Sequence, residues 1–181
     1  MNIEYLRLDS VEHLPQNAKT HDLGAIIVSI QEFGFVDPIG INKTTNRDID
    51  GNGRLDALRS MMLANLPVPQ NIIKDHDGMW LFPAVLLNVP EHKEAALGIA
   101  LNHINEIGGW DLQILSTVLS DIAARGELHG TGYDADDVDK LLKDANAPLF
   151  PKQENTAVEE NSQSGIHICP ECGYEFSDQD T

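Results

Sequence analysis

Apolar residues in the first 90 positions alternate in some segments and recur every three or four residues in others, which predicts strands and helices in mixed order. Strands are predicted at residues 3–8, 36–41, 47–50, 72–74 and 80–89. A first helix presents an apolar face of Leu23, Ile26, Ile27, Ile30 and Phe33. A second helix presents Leu55, Leu58, Met62 and Leu66. Asp22 is placed to cap the first helix and Gly34 to end it, while Pro67 ends the second.

After Pro90 the pattern becomes helical throughout. The three predicted apolar faces are Leu97, Leu101 and Ile104, then Leu115, Val118, Leu119 and Ile122, and finally Ala135, Val138, Leu141 and Leu142. Asp111 and Asp134 are placed as N-caps, and Trp110 is expected to anchor these helices to the core rather than to stack on a base. The order of elements predicts an α+β fold, with a small mixed sheet followed by a helical cap.

The predicted organisation has four parts. Residues 1–90 form the α+β core and residues 91–145 a helical extension. Residues 146–165 are rich in Pro, Gln, Glu, Asn and Ser, which is typical of a disordered linker. Residues 166–181 form a short tail that regains order-promoting residues.

Composition and charge narrow the function classes. The 181 residues contain 12 Lys+Arg and 29 Asp+Glu, a formal net charge of −17. No apolar run approaches the roughly 20 residues of a membrane span, and the N-terminus shows no secretory signal, so a cytoplasmic protein is expected. The acidity serves solubility in the simplest interpretation, and it disfavours a DNA-binding face built from basic residues. The net charge is −3 in residues 1–75 and −8 in residues 76–150, so an anion site is expected in the first half.

The sharpest local feature is the loop Asp50-Gly51-Asn52-Gly53-Arg54 between a predicted strand and a predicted helix. Glycines let a backbone approach a ligand closely, and the amides at a helix start favour an anion. Arg54 adds a charged, forked donor that suits phosphate. Because glycine turns are common, spacing alone favours a tight turn with Arg54 in a surface salt bridge over a phosphate site.

Further motifs surround this loop in a particular order. They are Leu14-Pro15, Asn17-x-Lys19-x-His21, Ser29-Ile30-x-x-Phe33-Gly34-Phe35-x-x-Pro38-Ile39 and Val68-Pro69. Together with the glycine loop, this order resembles the ParB N-terminal domain, which has the ParB/sulfiredoxin fold. The later segments Ala100-Leu101-Asn102, Trp110-Asp111-x-x-x-Leu115 and Gly130-Thr131-Gly132-Tyr133 resemble ParB-like domains associated with phage and mobile-element DNA methyltransferases. The resemblance spans roughly residues 5–144.

This resemblance implies a nucleotide pocket, because ParB proteins bind CTP with a divalent metal. Gly51, Gly53 and Arg54 match the family's phosphate-gripping element, and Asn102 matches the Asn of its Glu-Asn-x-x-Arg helix motif. The residues implied to bind CTP or another nucleotide are Gly34, Pro38, Ile39, Gly51, Asn52, Gly53, Arg54 and Asn102.

The chain departs from the family pattern at three positions. Leu101 stands where the motif has Glu, Asn105 where it has Arg, and Leu55 where a second arginine often follows. A metal contact and further phosphate contacts are therefore missing. Nucleotide or anion binding is expected to survive without CTP hydrolysis or a CTP-driven clamp, and no catalytic residue is predicted.

Three kinds of function follow. The first is a ParB-like nucleotide-binding accessory or regulatory protein in phage or mobile-element DNA metabolism. The second is a non-enzymatic adaptor that recruits a DNA methyltransferase or another partner. The third is a ParB-like DNA-binding protein or nuclease, for which Asp48 and Asp50 are candidate metal ligands at one strand end. Sulfiredoxin chemistry is excluded by the lack of a cysteine in residues 50–54.

The C-terminal tail contains one Cys-x-x-Cys pair. His167, Cys169 and Cys172 are candidate zinc ligands in a single zinc-ribbon-like knuckle. Because zinc prefers four ligands, two knuckles meeting in a homodimer would complete the site. A knuckle without metal remains the open alternative.

Overall fold

A mixed β-sheet organises the first half of the chain in the computed structural model, which describes residues 3–15, 17–145, 166–168 and 175–177. Its strands are β1 (Ile3–Arg7), β2 (Glu12–His13), β3 (Ile39–Asn42), β4 (Arg47–Asp50), β5 (Ile73–Lys74) and β6 (Trp80–Leu87). The order across the sheet is β1-β6-β3-β4-β2, and β5 also pairs with β6. The β1/β6, β3/β4 and β5/β6 pairs are antiparallel, whereas β3/β6 and β2/β4 are parallel.

Five helices accompany this sheet within the described residues: α1 (Leu23–Phe33), α2 (Asn52–Leu63), α3 (Glu94–Ile107), α4 (Leu112–Ala124) and α5 (Ala135–Ala145). The predicted side-chain caps form. Asp22 accepts a hydrogen bond from the amide of Ala25, and Asp111 accepts from the amides of Gln113 and Ile114. The α+β prediction, with helices alone after the last strand of the sheet, is confirmed.

The core lies between the sheet and the apolar faces of α1 and α2. Its buried members are Leu8, Val11, Ile30, Phe35, Ile39, Ile41, Leu55, Ala57, Leu58, Met61, Ile72, Trp80, Phe82 and Ala84. β4 leads directly into α2 and packs beside β3, so the glycine loop between β4 and α2 is held by buried elements on both sides.

A buried carboxylate fastens α3 to the β3–β4 hairpin. Glu94, at the first turn of α3, is 1% exposed and accepts hydrogen bonds from Asn42 (2.6 Å) and Thr45, and from Arg47 (3.3 Å). Burial raises the pKa of Glu94, but these hydrogen bonds and the Arg47 charge outweigh it, and the pKa is lowered overall. Glu94 therefore fixes the start of the helix that carries Asn102.

The structure corrects three sequence predictions. The strand predicted from residue 36 begins only at Ile39, because residues 34–38 form a loop. Trp110 does not anchor the helical extension, since it is 73% exposed. The predicted face of α3 is largely solvent-facing, with Leu101 40% and Ile104 67% exposed. Periodicity locates an apolar face but does not specify what covers it.

The chain divides into two units, Met1–Ala147 and Pro148–Thr181. In the second unit, β7 (Ile166–Ile168) pairs with β8 (Glu175–Ser177) in antiparallel register. Residues 146–165, for which the sequence predicts a linker, lie outside the described residues. Within the described part of the chain, no helix has the length and apolar character required to cross a membrane.

Candidate functional site

The loop between β4 and α2 has a conformation that requires glycine at its first position. Gly51 has φ +92°, in the left-handed region that side-chain-bearing residues rarely adopt. A Cβ atom there would lie 3.0 Å from both Arg54 Nη2 and Ile39 Cγ1. Gly51 thus allows the arginine to fold back over the loop and the core to pack beneath it.

Gly51 is also the N-cap of α2, and no side chain bonds to the amides of that cap. The first amides of a helix have no acceptor within the helix, and the helix dipole places partial positive charge there. An anionic group is the partner that this helix end favours.

A histidine ring lies directly against the second glycine of the loop. A Cβ atom on Gly53 would lie 2.6 Å from His21 Cγ and 2.9 Å from Ile26 Cδ1. Gly53 is therefore required for close packing of the His21 ring on the start of α2. Nε2 of His21 is buried and has no hydrogen-bond partner.

Arg54 is largely buried beside this loop, with 24% of its side chain exposed. Its Nη1 pairs with Asp37 Oδ2, and its Nη2 lies 3.2 Å from Asp50 Oδ2. Burial lowers the pKa of Arg54, because desolvation disfavours the charged guanidinium. Nε of Arg54 is buried without a partner. His21 Nε2 and Arg54 Nε are the buried side-chain nitrogens that lack one within the described residues.

Both of these nitrogens belong to residues that line one cavity of about 390 Å³. The lining residues are Lys19, His21, Ile26, Ser29, Ile30, Gly34, Phe35, Val36, Asp37, Asp50, Gly51, Asn52, Gly53, Arg54 and Asn102. A second cavity of about 230 Å³ lies against α3 and shares Lys19, Asn52 and Asn102 with the first. The residues that carry the unpaired nitrogens, the start of α2 and a concave space therefore coincide.

Most of the residues that the sequence singles out meet at this cavity. Gly34, Asn102 and the loop residues 51–54 line it. Pro38 and Ile39 do not line either cavity, and Ile39 instead lies fully buried under Gly51. Ile39 therefore shapes the loop from below rather than facing the space.

The three positions that depart from the ParB pattern lie away from the cavity. Leu55 is fully buried in the core. Leu101 and Asn105 are on the exposed side of α3, where Asn105 Nδ2 donates to the Leu101 carbonyl. None of the three lines either cavity.

Asp48 and Asp50 do not form the shared metal site considered from their spacing. Asp48 is fully buried and accepts hydrogen bonds from His13 Nδ1 (2.6 Å), the Leu14 amide and Asn52 Nδ2 (both 2.9 Å). Asp50 faces Arg54 instead. Asp48 therefore positions Asn52, and the two carboxylates serve separate partners.

Sequence reasoning missed Asp37 as a partner of Arg54 and His13 as a partner of Asp48. The acidic residue before Pro38 was the available signal for Asp37, but nothing local pairs it with a residue 17 positions later. The predicted zinc ligands are not tested, since Cys169 and Cys172 lie outside the described residues. Only the backbone of His167 is described, within β7.

Comparison with known proteins shows which known fold this chain resembles. Neither a protein-family model nor a curated protein matches this sequence. A crystal structure of the C-terminally truncated chromosome-partitioning protein ParB from Caulobacter crescentus, complexed with CTP-γ-S, superposes with a TM-score of 0.54. The match covers 79% of this chain and 78% of that chain at 12% sequence identity. The chain has a ParB-like fold. At this identity the likeness concerns the architecture alone, and the chemistry rests on the cavity residues.

Proposed function

We propose that this chain is a ParB-like nucleotide-binding accessory or regulatory protein that acts in the DNA metabolism of a phage or mobile element. The observation that carries the proposal is the meeting of Arg54 and the uncapped start of α2 at one cavity. A guanidinium and helix-end amides are the donors that bind phosphate oxygens. The buried, unpartnered Arg54 Nε supplies a donor for such a ligand.

The size and lining of the cavity agree with a nucleotide. Its volume of about 390 Å³ falls within the range of small-molecule sites, roughly 300–1,000 Å³. Apolar residues such as Ile26 and Phe35 line it together with the polar Asn52 and Asn102. CTP is the first nucleotide to test, because the ParB with a similar fold was crystallised with CTP-γ-S. With Leu101 and Asn105 facing away, we expect binding without hydrolysis.

Isothermal titration with CTP, ATP and their diphosphates tests this function. Arg54→Gln should weaken nucleotide binding by about tenfold or more, because hydrogen bonds to charged groups contribute roughly 1.5–3 kcal/mol. Arg125→Gln is the matched control, since it removes the same charge from an exposed arginine that pairs with Glu127. Absence of binding by any nucleotide to the wild-type chain, or equal affinity in both variants, would contradict the proposal.

Exposed apolar side chains favour a second candidate function, that of an adaptor for a DNA methyltransferase or another partner. Large apolar residues at least 59% exposed on α3, α4 and the turn between them are Ile99, Ile104, Ile107, Trp110 and Ile114. Contiguous exposed apolar surface marks protein interaction sites. The adaptor function would be supported if a methyltransferase co-purifies with the wild-type chain and with Tyr5→Ser but not with Trp110→Ser. Equal co-purification with all three chains would oppose it.

Direct DNA binding is a separate alternative, which gel shifts at low salt would test. A zinc knuckle formed by His167, Cys169 and Cys172 in a homodimer also stays a prediction, which an assay for co-purified zinc would test.

A further inference from the structure

Arg54 already has two carboxylate partners inside the chain. Asp37 contacts one terminal nitrogen of the guanidinium and Asp50 the other. All three residues line the cavity. A guanidinium that is three-quarters buried needs an anion close by, and these carboxylates provide it when no ligand is present.

The two carboxylates differ in how firmly they are held. Asp50 ends strand β4 and stands one helical turn before Arg54, so its position follows from the backbone. Asp37 lies in the loop of residues 34–38, and its side chain is 62% exposed. Asp37 can therefore leave Arg54 and become fully hydrated, whereas the buried guanidinium cannot follow it into solvent.

Resting on the proposed function, we propose that Asp37 is a built-in competitor that occupies the place on Arg54 taken by the anionic group of a ligand. Phosphate or diphosphate oxygens reach Arg54 when the Asp37 carboxylate moves away. Asp37 thereby sets the affinity of the cavity, because each anion must replace an existing ion pair rather than meet a free guanidinium.

The competition has a specific electrostatic consequence. A carboxylate that stays near the cavity repels a phosphate, and a neutral amide at the same position does not. Asp37→Asn should therefore strengthen the binding of inorganic pyrophosphate and of CTP by about threefold to tenfold, since it removes both the competing pair and the repulsion. The gain should shrink as salt concentration rises, because salt screens the exposed carboxylate.

Isothermal titration of the full chain with pyrophosphate and, separately, with CTP tests this competitor at low and high salt. Asp77→Asn is the matched control: Asp77 is 61% exposed, lies 3.6 Å from an arginine (Arg7), and is outside the cavity. The competitor role of Asp37 is supported if Asp37→Asn binds both pyrophosphate and CTP more tightly than the wild-type chain does, while Asp77→Asn does not. A gain for CTP alone overturns it, since the competition concerns the anionic group that both ligands share.

Failure of this inference is distinguishable from failure of the proposed function. If the wild-type chain binds CTP and Asp37→Asn binds it equally or more weakly, Asp37 is not a competitor and the proposed function stands. If no variant binds pyrophosphate or CTP, the competitor is overturned, and the proposed function is overturned with it only when ATP and the nucleoside diphosphates also fail to bind. The Arg54 Nε–H signal in ¹⁵N NMR gives an independent measurement, because it should shift when pyrophosphate is added and should respond at lower pyrophosphate concentration in Asp37→Asn.

Discussion

Replacing Glu94 with glutamine tests the contact that fixes α3 against the sheet. Oε1 of Glu94 accepts the hydrogen bonds from Asn42 and Thr45, and Oε2 faces Arg47 Nη1 at 3.3 Å. A glutamine can keep its oxygen toward Asn42 and Thr45. Its NH₂ group then points at the Arg47 guanidinium, so that two donors face each other in a site that is 1% exposed.

The size of the effect follows from this geometry. Loss of one charge-assisted hydrogen bond in a buried site costs about 1.5–3 kcal/mol. Glu94→Ala should cost more, about 3–5 kcal/mol, because it also leaves the Asn42 and Thr45 donors with one acceptor fewer. Asn42 keeps its second bond to the Val89 carbonyl, which places the expected value near the lower end of that range.

Urea denaturation followed by circular dichroism measures this change. With a urea dependence of about 1–3 kcal/mol per molar, Glu94→Gln should lower the midpoint by about 1 M. Glu91→Gln is the control, because Glu91 contacts the same Arg47 at 2.8 Å but is 67% exposed, and little change is expected. Equal midpoints for wild type and Glu94→Gln would refute the reasoning, as would an equal loss in both variants.

The pH dependence gives a second check on Glu94. Its pKa is lowered in the folded chain from the ordinary value of 4.5, so the ionised form stabilises the fold. This contribution is complete above pH 4.5 and is lost as the pH falls through the lowered folded-state pKa. The difference in free energy of unfolding between wild type and Glu94→Gln should therefore stay constant near neutral pH and close in acid. A difference that widens on acidification would contradict the assignment.

Two further substitutions separate the site from the surface. Gly51→Ala should destabilise the chain by about 1–2 kcal/mol and abolish nucleotide binding, because alanine disfavours φ +92° and its methyl group would press on Arg54. Thermal denaturation measures the loss of stability and isothermal titration the loss of binding. Unchanged binding would contradict the role of Gly51. Trp110→Ser should change the free energy of unfolding by no more than about 0.5 kcal/mol, because Trp110 is 73% exposed; a larger loss by urea denaturation would mean that the tryptophan does anchor the helices.

Sequence patterns that span only a few residues were sufficient to predict the helices and their caps. Asp22 and Asp111 cap α1 and α4 as expected, because the acceptor and the amides it satisfies are two or three positions apart. The glycine loop before α2 could also be predicted from the sequence, since a left-handed backbone conformation at a helix start favours glycine. The two-residue strand β2 was missed because so short a segment has no period.

Only the tertiary structure decided which side chains meet. Three contacts join residues from different elements: Asp37 pairs with Arg54, the His21 ring packs on Gly53, and Glu94 is buried against Asn42. Periodicity identifies an apolar face but not its partner, which is why the exposure of Trp110 was not foreseen. Residue types and spacing predicted an anion site at the glycine loop. Packing decided that a cavity lies beside Arg54 and that two carboxylates, Asp37 and Asp50, already pair with its guanidinium, because these contacts depend on how separate elements meet.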